Sequence, residues 1–379
     1  MTRPRSAFGA PPQGGAPSSP AEPDLRLPLG EDLGRGTLVQ RSAGVWLTAW
    51  RRFKGDRVGM VSGLVVLGFL LLIAAAATGL LASQWQRELA VPNAPPTWLG
   101  KRAGEETGTM AGAESLPAPS VDLADIDPLA PRYAEWAARA AQLQTAETVK
   151  ADTLPLGADR LGRDVLAKAI KGTEVSVFVG VLAALLATVI GTVLGALAGF
   201  FGGKVGDFLE WLYNVFTAVP DILLIFAFAA VLGRGVDTVV LILGLTGWTG
   251  LYRQVRAEFI KHRGREYVRA AEAIGASTSS RMFRHILPNV SHVILVRMSL
   301  LVVGFIKSEV ILSYLGLGVP IDQVSWGTML AEAQGELILG HWWQLATATA
   351  FMALFVTAFS LMADGWRDAL DPKLRGAET

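Results

Sequence analysis

The residues able to do chemistry in this chain are few and oddly placed. Arg297, Lys307 and Glu309 stand inside an otherwise apolar stretch, roughly 291–313. Ionisable groups in such a run usually face a bundle interior or a water-filled path. Lys307 and Glu309 are two residues apart and do not share a helical face. Pathway lining and structural pairing both stay open for them, and Arg297 has a stem long enough to snorkel toward the nearer interface. Covalent chemistry has little to work with. The chain has no cysteine, which excludes disulfides, thiolate metal sites and thiol nucleophiles. Its four histidines, His262, His285, His292 and His341, include no pair at the spacing of a helical zinc site. Gly202-Gly203-Lys204 is followed by Val205 and lacks the leading glycine of a phosphate-binding loop, so no ATP site is expected here. No nucleophile–base set stands out. The expectation is a protein that binds and moves, with no catalytic residue, cofactor or metal of its own.

The densest polar cluster is 253–290, where Arg253, Arg256, Lys261, Arg263, Arg265, Arg269, Arg281 and Arg284 face three acids. Glu258 to Ile274 is free of proline and rich in helix formers. Gly275 can take a positive φ and end that helix. Ser277 and Thr278 can cap the next one, and Pro288 is expected to stop it at the membrane. The pattern predicts a helix–turn–helix knob. Its exposed charges suit a polar groove on a partner, or, more simply, a solvated connector touching anionic lipid head groups.

The elements that must position this knob are apolar. Of 379 residues, 51% are hydrophobic, and the mean hydropathy is +0.39, which points to a polytopic membrane protein. A formal net charge of +1 gives no reason to expect nucleic acid. Residues 1–45 are rich in Pro, Gly, Ser and Ala and read as a disordered tail. Val58–Ala82 is long enough to cross a bilayer, and the cations before it (Arg51, Arg52, Lys54, Arg57) place the N-terminus in the cytoplasm. Residues 46–82 thus comprise an interfacial segment and the first span; 83–153 form a polar, extracytoplasmic insertion, with a surface helix within Pro131–Lys150. The second span is Val175–Gly203, whose Gly191-x3-Gly195-x3-Gly199 stripe allows close helix approach in lipid. Further spans are Phe208–Gly233, kinked at Pro220-Asp221; Val236–Tyr252; Ser291–Ser313; and Trp342–Ala363. Six spans return the C-terminus to the cytoplasm and put the cationic 253–290 loop there too, as the positive-inside rule demands. Trp342 and Trp343 then belong at the outer interface. Asp159–Lys171 is expected to form a lead-in helix lying flat on the outer surface, capped by Asp159 or docking a partner.

Several segments, in order, resemble one family. Tyr267-Val-Arg-Ala-Ala-Glu-Ala-Ile-Gly-Ala-Ser277, followed by Phe283-Arg-His-Ile-Leu-Pro-Asn289, is similar to the "EAA" loop of ABC importer permeases of the dipeptide/oligopeptide class, with Gly275 and Pro288 thirteen positions apart. Arg269 departs from that pattern, standing where a glutamate is usual. Leu156–Leu166, Leu315–Pro320 with Ser325-Trp326-Gly327, and Asp364–Pro372 resemble that class's segments before the second span, after the fifth and at the C-terminus. The order is that of the second, C-type permease. The insertion is longer than usual, similar to that of variant oligopeptide permeases associated with microcin uptake, and Gln344-Leu345-Ala346 stands where relatives often have Pro-Gly.

The resemblance implies an all-α polytopic protein with the six-helix type I importer permease fold, residues 154–379 forming a five-helix core. It implies a bacterial inner-membrane, multi-pass protein with both termini cytoplasmic, moving peptides by alternating access. Partners would be a homologous permease, two ATPase subunits carrying ATP and Mg, an extracytoplasmic solute-binding protein and membrane lipid. The ATPase contacts would be Arg263, Glu266, Ala270, Ala271, Glu272, Gly275 and Ser277. The same scaffold serves importers of nickel or another small solute, and a membrane anchor or channel without transport is a third reading.

Overall fold

The computed structural model describes residues 45–100, 128–129, 132–142, 150–320 and 322–370. The expected disordered tail therefore lies outside the described residues, except for Val45. In chain order the helices are α1 (Val45–Gly55), α2 (Arg57–Ala77), α3 (Tyr133–Gln142), α4 (Val165–Phe201), α5 (Gly203–Thr217), α6 (Asp221–Leu232), α7 (Val236–Thr246), α8 (Thr249–Arg263), α9 (Glu266–Ala273), α10 (Thr278–Ser280), α11 (Leu287–Tyr314), α12 (Trp326–Ile338) and α13 (Trp343–Leu370). The described residues contain no strand beyond isolated bridges, three of which tie 88–96 to 151–163 on one end of the bundle.

Four helical stretches are long and apolar enough to cross a membrane: Arg57–Ala77, Val165–Phe201, Thr278–Tyr314 and Trp343–Leu370; α5 with α6 makes a fifth if a pair bent by 84° counts as one span. That bend is the one expected at Pro220, which caps α6 with extended backbone and no N–H to give. The expected fourth span is two helices. At 11 residues, α7 rises only about 16 Å, roughly half a hydrocarbon core. It breaks at Gly247, where an added Cβ would lie 2.3 Å from the Phe305 ring. The first span is also shorter than expected, ending at Ala77 rather than near Ala82.

α4 is the central helix, touching α2, α7, α8, α11, α12 and α13. Its glycine stripe does what the spacing predicts. An added Cβ at Gly191, Gly195 or Gly199 would lie 2.8, 2.7 and 2.6 Å from the carbonyl oxygens of Trp248, Tyr252 and Arg256. The contacts advance in step along both chains, so α8 runs parallel to α4, and α5–α6 must carry the chain back between them. On another face, Gly180 admits Ile306 of α11. At the other end of the chain, Phe53 and Trp50 of α1 stack on Trp366 of α13, at 4.8 and 5.8 Å between ring centroids. The two ends of the described bundle therefore share a side, and the chain between them crosses an even number of times.

Gly195→Val should lower stability by about 1–3 kcal/mol through overpacking against α8. Gly304→Val, where an added Cβ meets nothing within 4 Å, should be far milder. Thermal unfolding of the detergent-solubilised chain compares the two.

Candidate functional site

The knob follows directly from α8. Arg265 is extended, α9 starts at Glu266, and after Ile274 the chain turns at Gly275 with φ +83°. Ser277 Oγ then accepts from Ser280 N at 3.3 Å, opening α10. The helix–turn–helix is therefore built from the residues expected to build it. Pro288 does not stop the second helix. It sits at the start of α11, and Thr278–Tyr314 is one continuous helical rod. A π-turn at Arg281–Ile286, in which Leu287 N donates to Met282 O, supplies the wider ring that a proline lacking its N–H and crowding the preceding turn requires.

Val268, Met282 and Ile286 are buried with Phe259 and Val255 of α8 and Phe200 of α4, so the knob is seated on the bundle's core rather than tethered to it. Arg263, Glu266, Ala270, Glu272, Gly275 and Ser277 are exposed; Ala271 is buried. Ala271 thus supports the knob from within and is withdrawn from its exposed surface. Glu272 pairs with Arg281 at 2.5 Å. His262 Nδ1 lies 2.8 Å from the Tyr267 hydroxyl. Burial pushes His262 below the ordinary imidazole range, although Glu258 pulls the other way.

The charges of the fifth apolar run separate. Lys307 is exposed, whereas Glu309 is fully buried. Glu309 accepts from Ser176 Oγ at 2.8 Å and Ser313 Oγ at 2.7 Å, and Ser176 in turn accepts from Trp326 N at 3.2 Å. It ties α4, α11 and the start of α12 together. Arg297 lies against Gly250 of α8 and, with Gln254, His292 and Arg367, lines a cavity of about 350 Å³.

Residues 191–376 match the family described as "Binding-protein-dependent transport system inner membrane component", and residues 44–96 match the "N-terminal TM domain of oligopeptide transport permease C". The oligopeptide transport system permease protein OppC of Bacillus subtilis (strain 168) is 37% identical over 219 residues, 58% of this chain and 72% of that relative. The dipeptide transport system permease protein DppC of the same organism is 38% identical over 219 residues, 58% and 68% of the two chains. OppC of Escherichia coli (strain K12) is 38% identical over 219 residues, 58% and 72%. The chain belongs to this permease family, as a C-type subunit.

The permease carries a second polar structure that sequence reasoning misread. Asp159 does not cap a helix; Asp164 does, accepting from Leu166 N at 2.9 Å, and α4 then runs 37 residues without a separate flat lead-in. Asp159 is instead fully buried beside an equally buried Lys168, 2.7 Å away, with Arg163 Nε at 2.6 Å. Glu332 of α12 bonds both Lys168 and Arg163, and Gln344 of α13 bonds Lys168 at 3.3 Å and Glu332 at 3.2 Å. This network joins the 151–163 segment to α4, α12 and α13 at the bundle end opposite the knob. Trp343, expected at the interface, is buried here and donates from Nε1 to Ala158 O at 2.7 Å. Gly157, at φ +85°, leaves room for its ring. Trp342 is the more exposed of the pair and packs on Trp98. Asp159, Arg163 and Lys168 are its local part; Glu332 and Gln344, which complete it, lie about 170 residues away.

Burial pushes the Asp159 carboxyl toward protonation, but Lys168 and Arg163 outweigh it and hold the pKa below the usual range. Burial pushes Glu336 up to about 7; its Oε1 accepts from Arg160 N at 2.9 Å and its Oε2 is buried without a partner among the described residues.

Two outcomes follow for the permease. Asp159→Ala takes from the buried Lys168 one of its two carboxylates, leaving Glu332, and should cost about 3 kcal/mol, with part of the loss recovered by adding Lys168→Met; paired thermal-unfolding scans read both. Between about pH 4.5 and 7 folded Glu336 keeps a proton that the unfolded chain has released. Its contribution therefore makes stability fall as pH rises through that window. Glu336→Gln should flatten this slope. The Asp159 contribution has the opposite sign and is lost only as pH falls below 3.8.

Proposed function

We propose that this permease subunit works in an ATP-driven importer that moves peptides inward across the cytoplasmic membrane by alternating access. Membership of the family makes it a transport subunit rather than an enzyme, and the relatives' names, oligopeptide and dipeptide permeases, favour peptides over nickel or another small solute. In this reading a second permease completes the pathway, an extracytoplasmic binding protein delivers the peptide, and two ATPase subunits hold ATP and Mg. Both termini and the 253–290 loop face the cytoplasm, and the 83–153 insertion faces outward.

The observation that carries the mechanism is the seating of the knob. A tethered loop would absorb an ATPase's motion. This one shares a buried cluster with α8 and α4, and α8 is locked to α4 by backbone contact, so displacement of the knob is passed to the central helix. Interfaces packed in this way switch between discrete arrangements rather than stretch. Arg263, Glu266, Ala270, Glu272, Gly275 and Ser277 form the contact surface with an ATPase groove, and Ala271 holds that surface in shape. Lys307 and Glu309 take different parts: Lys307 is available to a pathway or to the second permease, and Glu309 is a structural pairing group.

The test is uptake of labelled peptide by cells carrying the chain with its ATPase subunits in place of their own permease. Gly275→Val forces a β-branched residue to positive φ, and Glu266→Arg reverses a contact charge. Each should cut uptake by about tenfold or more, the equivalent of about 1.4 kcal/mol of coupling, while the chain still reaches the membrane. Undiminished uptake together with undiminished ATPase co-purification would remove the coupling role. Nickel uptake without peptide uptake would reassign the substrate.

A further inference from the structure

Between the end of α4, the end of α8 and the knob lies a cavity of about 710 Å³, well within the size range of ligand sites. Its walls carry four guanidinium groups: Arg256 and Arg263 from α8, Arg269 from α9 and Arg281 from the π-turn. Two of them have an acid, Arg281 with Glu272 at 2.5 Å and Arg256 with Glu210 at 3.3 Å. Arg263 and Arg269 have no ion pair among the described residues. The Nε atoms of Arg256 and Arg281 are buried without an acceptor among the described residues. Four cations against two acids, with donors unsatisfied, call for an anion. Planar guanidinium forks select phosphate oxygens, which accept two parallel N–H bonds each.

The surroundings narrow the ligand. Phe200 forms a floor beneath Arg281, 5.5 Å from ring centre to guanidinium. Phe201 and Ile260, which also line the cavity, are about half exposed. An apolar wall beside a phosphate cradle suits an amphiphile and gives nothing to a free anion. The cavity also sits where the long apolar run of α4 ends, at Phe201 and Gly202, the depth at which phospholipid head groups lie.

We propose that this cavity binds the phosphate of an anionic glycerophospholipid, with its glycerol and upper acyl chain against Phe201 and Ile260. The bound head group bridges α8 to the knob through Arg263 and Arg269, adding a lipid-dependent clasp to the protein's own packing. The inference needs only a chain that spans a membrane and is independent of what is transported.

Native mass spectrometry of the detergent-solubilised full chain tests it, with phosphatidylglycerol and phosphatidylcholine as probes. Phosphatidylglycerol should be retained in preference. Arg263→Gln with Arg269→Gln, two unpaired surface arginines, should weaken its retention on the order of tenfold or more, with the melting midpoint confirming the fold. Should that pair unfold the chain, Phe201→Ser with Ile260→Ser leaves the charges intact and should weaken lipid retention by itself. Equal retention of the two lipids would overturn the proposal. So would full phosphatidylglycerol retention in both variants, or its displacement by millimolar inorganic phosphate, which would assign a free-phosphate site. Loss of ATPase co-purification with lipid retention unchanged would assign the arginines to the ATPase contact instead.

Discussion

Everything at the knob end of this permease rests on the approach of α8 to α4. In lipid no hydrophobic force drives two apolar helices together, so their association depends on how closely their atoms pack. Gly191, Gly195 and Gly199 leave out the three side chains that would otherwise stand between the helices, and carbonyl oxygens of α8 occupy that space. α8 is a poor membrane helix by itself, carrying Arg253, Arg256 and Glu258. The glycine stripe holds it in register, and through α8 it holds the knob. The register also forces α5 and α6 to return the chain, which is why a pair bent by 84° can still serve the topology.

At the opposite end the binding force is electrostatic. The buried Asp159 and Lys168 and the partly buried Glu332 form a charge cluster, and Gln344 and Arg163 complete its hydrogen bonds. Burying such charges is costly, and a fully paired network is the condition under which the cost is met. The return is geometric: three helices and an irregular segment converge on one ammonium group. One end of the bundle is thus fixed by dispersion and backbone fit, the other by directed charge. A rocking motion that preserves both contacts has to distribute itself over the helices between them, where α5–α6 and α7–α8 are already broken at Pro220 and Gly247.

The knob was legible because its signals are local. Gly275 needs only its own φ, and Ser277 needs only an N–H three residues away. The glycine stripe was legible as a demand for a close neighbour, but not as to which one. Pro288 misled because a proline in a helix is read as a stop, whereas the π-turn just upstream, ending at Ile286, absorbs it. Asp159 misled for the opposite reason. Its capping alternative, Asp164, lies five residues on and satisfies the same local rule, while the ions that claim Asp159, Arg163 and Lys168, are near in sequence but are held in place by Glu332 and Gln344, about 170 residues away. Trp343 was assigned to the interface on residue type, and its carbonyl partner on Ala158 lies 185 positions away.

The sequence by itself determined what short-range sterics and transfer energy determine: apolar runs, the breaks at glycine and proline, the cationic loop, and the ordered motifs that mark the permease family. Only the tertiary structure decided which buried charges pair, that Glu309 bonds two serines while Lys307 stays exposed, that Ala271 faces inward, and that four arginines line one cavity. Those outcomes depend on distances between segments far apart in the chain. No propensity encodes such distances; the packing of α4 against its neighbours sets them.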